Sequence, residues 1–136
     1  MQIKRPKLSA VFGMFATLAM IFNLSWAQED NTPKIRLKSP TIINGFIGGE
    51  SHDSYVIHAH KGQTLTVQIS WKLEGGNTAS FTVSQTPNFY TKQPVKFGKT
   101  SVGGKHWTGK IPKTSDYYIA VVAYQTAHYT LKVSIQ

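Results

Sequence analysis

Five histidines, a run of lysines and a few scattered carboxylates are the side chains of this 136-residue chain that could do chemistry. His58 and His60 stand two apart, a spacing that puts both imidazoles on one face of a strand, where they could ligate a divalent metal. No third ligand is fixed by spacing, so a solvated outer face is the expectation and no metal is assigned. The chain has no cysteine, which removes disulfides, thiol nucleophiles and thiolate zinc sites. Calcium lacks its carboxylate cluster. Serine and histidine occur without a Gly-x-Ser-x-Gly elbow, and the six acidic residues form no pair marked by spacing for acid–base work. The expectation is a protein that is not an enzyme and carries no cofactor.

The lysines say more. Lys92, Lys96, Lys99, Lys105, Lys110 and Lys113 fall in a stretch without any acid, interleaved with Phe97, His106 and Trp107. Lysine supplies long-range attraction and an aromatic ring a flat apolar anchor, a combination suited to an acidic cleft or a glycan. The other reading of Trp107 is a core residue beneath an ordinary solvated face.

Short strands must position these groups. After residue 27, apolar and polar residues alternate with period two between turn residues, and no segment carries a helical period. The pattern predicts strands near Lys34–Lys38, Thr41–Ile47, Ser54–His60, Gln63–Lys72, Ala79–Gln85, His106–Ile111, Asp116–Tyr124 and His128–Ile135. Lys61-Gly62 makes a tight link between two of them. The implied fold is all-β, a single jelly-roll-like β-sandwich of about eight antiparallel strands. Its core rows are Tyr55, Ile57 and Ala59; Leu65, Val67 and Ile69; Tyr117, Ile119 and Val121; and Tyr129, Leu131, Val133 and Ile135. Tyr117 suits a buried tyrosine whose hydroxyl ties down a corner. The segment Thr86–Gly104 reads as a long irregular loop, and Gln28–Pro33 as a frayed polar lead-in.

The first 27 residues read as a leader. Lys4, Arg5 and Lys7 precede an uncharged apolar run from Leu8 to Leu24, and Ser25-Trp26-Ala27 offers small residues for cleavage. Three domains of the reading follow: a signal peptide over 1–27, an N-terminal arm and first strand over 28–40, and the sandwich over 41–136. The exported part keeps 12 basic residues against six acidic ones, a net charge of +6. Export makes nucleic acid the weakest candidate partner and leaves anionic glycan, lipid headgroups or an acidic protein groove. No stable membrane anchor is visible, and the expected location is the periplasm, with secretion into the medium as the alternative.

A family resemblance adds to this. Tyr55-x-Ile57-x-Ala59-x-Lys61-Gly62-Gln63-Thr64-Leu65 resembles the hairpin of bacterial pre-peptidase C-terminal domains. Ile111-Pro112-Lys113-Thr114-Ser115-Asp116-Tyr117 resembles the same family's Leu-Pro-x-(Ser/Thr)-Gly-x-Tyr segment, with Ser115 in place of its glycine. Tyr129-Thr130-Leu131-Lys132-Val133 is similar to its last strand. With its leader and length, the chain resembles the small exported members that inhibit g-type lysozyme in the periplasm. The resemblance implies occlusion of that enzyme's active-site cleft by surface loops. The residues it points to are Lys113, Thr114, Ser115, Asp116 and Tyr118, with a second loop at His52, Asp53 and Ser54. It would place the Lys113 ammonium beside a catalytic carboxylate. The rival reading is a cell-envelope glycan or anionic-lipid binding module that uses the Lys92–Lys113 surface.

Overall fold

The structure is a computed structural model that describes residues 28–136; the expected signal peptide over residues 1–27 lies outside the described residues. The described residues form nine strands: β1 (Lys34–Arg36), β2 (Thr41–Ile47), β3 (Asp53–Ala59), β4 (Thr64–Trp71), β5 (Thr78–Ser84), β6 (Lys99–Thr100), β7 (His106–Lys110), β8 (Ser115–Tyr124) and β9 (Ala127–Ile135). They form a four-stranded sheet in the order β1-β3-β8-β5 and a five-stranded sheet in the order β2-β9-β4-β7-β6. The architecture is the expected all-β sandwich, with two differences from the sequence reading. The strand count is nine because β6 forms inside Thr86–Gly104 and pairs with β7. One pair is parallel, since β1 runs alongside β3 with Ile35 opposite Tyr55.

Alternation places one side chain of every pair between the sheets. Tyr55, Ile57 and Ala59 of β3 and Leu65, Val67 and Ile69 of β4 point into one shared core, and all six are buried. Tyr117, Ile119 and Val121 join them from β8, and Tyr129, Leu131 and Val133 from β9. Ile135, at the open end of β9, is only half-buried. Burial of such side chains stabilises by about 1.5–3 kcal/mol each before chain entropy is counted. The two aromatic readings also separate here. Trp107 is 6% exposed and belongs to the core, so it cannot serve as a surface anchor. Phe97 packs against it with ring centres 5.8 Å apart, and against Tyr117 at 6.0 Å. The turn before β6 explains how: Gly98 sits at φ +87° over the Trp107 ring, where a Cβ would approach within 2.5 Å.

The lead-in segment is anchored rather than frayed. The Asp30 carboxylate is buried and accepts hydrogen bonds from the backbone N–H of Thr32 at 3.0 Å and of Phe89 at 2.9 Å. This ties the N-terminal arm to the long Thr86–Gly104 segment. That segment is further fixed by a bridge between Ser84 and Pro94 and by the Val95 N–H donating to the Val83 carbonyl at 3.0 Å.

Candidate functional site: the lysine-ringed end of the sandwich

The β3–β4 turn and the β7–β8 loop lie side by side at one end of the sandwich. The Lys61 N–H donates to Thr114 Oγ1 at 2.9 Å, and the Gly62 N–H donates to the Ile111 carbonyl at 2.8 Å. In return the Ile111 N–H donates to the Gln63 carbonyl at 2.7 Å. Gly62 adopts φ +92°, which the Lys61-Gly62 turn requires and which glycine meets without strain. On the other side, the buried Tyr117 hydroxyl donates to the Lys113 carbonyl at 2.6 Å, as expected of a tyrosine that secures a corner. The loop is therefore held from both sides, through the Thr114 hydroxyl and the Lys113 carbonyl.

The lysine side chains take no part in these bonds. Lys61, Lys110 and Lys113 are exposed, and the first two line a shallow depression floored by Gly62, Ile111 and Pro112. No acidic side chain lines it. Asp116, at the start of β8, is already engaged: Arg36 contacts both its oxygens at 3.4 and 3.2 Å, and His58 Nδ1 lies 2.9 Å from Oδ1. The Arg36 guanidinium, followed by His58, holds the Asp116 carboxyl below the usual carboxylate range. The Ser115 hydroxyl donates to the Asp116 carbonyl at 3.2 Å. Tyr118 stands on the outer face of the four-stranded sheet, opposite Val56 and Ser84. His60 packs edge-on against His58 with ring centres 5.1 Å apart. Among the described residues, no cluster of three His, Asp or Glu side chains could hold a metal ion.

His52, Asp53 and Ser54 lie elsewhere. In the β3–β8 ladder Asp53 pairs with Val121 whereas Ala59 pairs with Ser115, so β3 separates the two predicted loops by its full length. Seven residues of strand span about 20 Å. His52 and Ser54 are only 8% and 6% exposed, which leaves little of either for a partner. His52 stacks on Phe89 with ring centres 3.9 Å apart, and its Nε2 meets Asp30 Oδ1 at 3.1 Å. Asp53 accepts a 2.5 Å hydrogen bond from the Tyr129 hydroxyl, which also meets the Tyr55 hydroxyl at 2.5 Å. Burial, with Asp53 and Tyr55 close by, pushes the Tyr129 hydroxyl far up, so it remains a neutral donor.

Lys61 and Arg36 escaped the site reading from sequence, and Lys110 entered it only as part of the Lys92–Lys113 stretch, apart from the Lys113–Asp116 loop. Lys61 and Lys110 flank a turn and a loop whose adjacency follows from β4 pairing with β7. The Gly-Gln turn next to Lys61 was a usable signal. Arg36 reaches Asp116 only because β1 pairs in parallel with β3, and no local pattern announces that.

No protein-family model matches the chain, and no curated protein matches it by sequence. Solved structures do match. A periplasmic inhibitor of g-type lysozyme, PliG from Aeromonas hydrophila, superposes with a TM-score of 0.56 at 24% identity, covering 76% of this chain and 96% of the inhibitor. The chain shares that fold. The pre-peptidase C-terminal domain of a Bacillus anthracis collagenase gives a TM-score of 0.55 at 18% identity, over 80% of this chain and all (100%) of the domain. A mutant of the Escherichia coli g-type lysozyme inhibitor gives 0.51 at 19% identity, over 76% of this chain and 97% of its own. Two of these neighbours are lysozyme inhibitors and the third is a pre-peptidase C-terminal domain.

Proposed function

We propose that this protein is an exported, non-enzymatic inhibitor of g-type lysozyme that acts in the periplasm. The observation that supports it most is the hydrogen-bonded end around Lys61, Lys110 and Lys113, whose depression no acidic side chain lines, carried on a fold shared with such inhibitors. A glycosidase cleft is lined by carboxylates, one of which must be protonated to donate to the leaving group. An ammonium brought beside that carboxyl favours its ionised form and lowers its pKa, so the acid is lost as the cleft is blocked. Lys113 is the residue assigned that part, with Lys61 and Lys110 drawing the end into the cleft. Because the loop backbone is fixed by Tyr117 and Thr114, little ordering cost falls on binding.

In this reading Thr114 and Ser115 are contact residues at the rim, Asp116 orients Arg36 and His58, and Tyr118 flanks the end on the outer sheet face. His52, Asp53 and Ser54 brace the far end of β3 and do not enter the same cleft. Calorimetric titration of g-type lysozyme with the Gln28–Gln136 protein tests the mechanism, repeated with the cleft filled by a chito-oligosaccharide. Cleft occlusion predicts that the sugar competes. Undiminished binding to the sugar-filled enzyme would overturn it.

A further inference from the structure

The strands of the five-stranded sheet present basic and neutral side chains on their outer face; the one acidic group placed close to it, Glu74, stands near His128 at its margin and is paired with Lys72 at 2.9 Å. None of its strands, β2, β9, β4, β7 or β6, contains an aspartate or glutamate, whereas the opposite sheet carries both Asp53 and Asp116. Lys99, Lys110 and Lys132 project from this face together with His106 and His128. Register arranges the rest. Across the sheet, His106 aligns with Gln68, Lys132 and Ile42, and in the adjoining row Lys99 aligns with Thr108, Thr66 and Ser134. Neighbouring strands stand about 4.8 Å apart and successive outward residues about 7 Å apart, so the two rows form a lattice of hydroxyl, amide and ammonium groups roughly 15 Å across. Two shallow depressions lie in it, one lined by Thr66, Gln68, Lys132 and Ser134, the other by Thr64, Lys99, Thr108 and Lys110.

We propose that this face binds a strand of acidic polysaccharide. A uronate-type chain alternates carboxylates with hydroxyls. The lysines would pair with the carboxylates, while Gln68, Thr66 and Thr108 exchange hydrogen bonds with the sugar hydroxyls between them. A lipid surface suits the face less well. Its large exposed apolar side chains are Ile42 and Phe46, both on the edge strand β2, and Phe46 leans on His128 with ring centres 4.6 Å apart. Lys110 borders both surfaces, but Lys113 and Tyr118 lie off this face and Lys99, Gln68 and Lys132 lie off the other, so the proposal does not rest on the inhibitor reading.

The test is binding of a short galacturonate oligomer to the ¹⁵N-labelled Gln28–Gln136 protein, followed by amide shifts and by calorimetry, with a neutral dextran oligomer and phosphatidylglycerol vesicles as the other arms. Shifts centred on Thr66, Gln68, Thr108 and Lys132, together with binding that weakens as salt rises, are expected. Gln68→Glu, isosteric and exposed at the centre of the face, should weaken binding about tenfold, as should Lys99→Gln with Lys132→Gln. The charge-matched pair Lys92→Gln with Lys96→Gln, away from the face, should change it less than about twofold. Equal losses from both lysine pairs, shifts confined to other surfaces, equal binding of dextran, or binding of vesicles without the oligomer would each overturn the proposal. Retained lysozyme inhibition by the Lys99/Lys132 variant would show the two surfaces to be separate.

Discussion

Asp30 Oδ1 lies 3.1 Å from His52 Nε2, and through this contact the N-terminal arm, the start of β3 and the Thr86–Gly104 segment become one unit. Asp30 gathers four partners: the N–H groups of Thr32 and Phe89, the His52 ring, and the Lys34 ammonium at 3.5 Å. Burial alone would raise its carboxyl, but the hydrogen bonds from Phe89, Thr32 and His52 outweigh it and hold the group well below the usual carboxylate range.

That depression carries a sign. A carboxyl whose folded pKa lies below its unfolded value of about 3.9 contributes stability that is complete above that value and is lost as pH falls toward the folded one. Asp30→Asn should therefore lower stability at neutral pH and flatten the acid limb of the stability profile. Asp30→Ala, which leaves the Phe89 N–H and His52 unpartnered, should cost about 1–3 kcal/mol. Urea unfolding from neutral to acid pH measures both. An acid limb as steep in Asp30→Asn as in the parent protein would show that the carboxylate is not the anchor.

Tyr117→Phe isolates the corner bond. The ring stays in the core and only the hydroxyl's contact with the Lys113 carbonyl is lost, so stability should fall by about 1 kcal/mol. Hydrogen exchange at the Lys61 and Gly62 amides should quicken, because the β7–β8 loop that accepts from them loosens. Unchanged exchange there would mean that the turn is held without Tyr117.

The core rows were legible in the sequence because a period of two leaves no ambiguity once one face is buried. Tyr55, Leu65, Ile119 and Leu131 fall where alternation puts them. The site was legible in part. The Lys113–Asp116 loop and the Lys61-Gly62 turn could be picked out separately, but their contact is a product of β3, β4, β7 and β8 pairing over long sequence distances. Asp30 was invisible for the opposite reason. Its five surrounding residues look like a polar lead-in, and its partners Phe89 and His52 lie 59 and 22 positions away. The burial of His52 follows from that same contact.

A charge in the middle of the sandwich tests the core. Ile119 and Val133 are 0% and 2% exposed within the hydrophobic core, so Ile119→Asp or Val133→Asp buries a carboxylate among apolar side chains and should abolish folding. Far-UV circular dichroism and thermal melting would report it. A native spectrum with a cooperative transition would contradict the packing.

Gly98→Ala probes the turn under Trp107. At φ +87° with the indole in the path of a new Cβ, alanine adds both backbone strain and overpacking, each costing about 1–3 kcal/mol. The change should appear as a lower urea midpoint and a shifted Trp107 emission. A midpoint within error of the parent protein would place the turn elsewhere.

Lysis of peptidoglycan by g-type lysozyme, titrated with the Gln28–Gln136 protein beside c-type and i-type controls, tests the central claim most directly. Selective inhibition approaching one inhibitor per enzyme is predicted, with Lys61→Ala/Lys113→Ala folded but weakened about tenfold or more. Uninhibited g-type lysozyme, or a double variant as potent as the parent protein, would contradict the assignment of the lysine-ringed end.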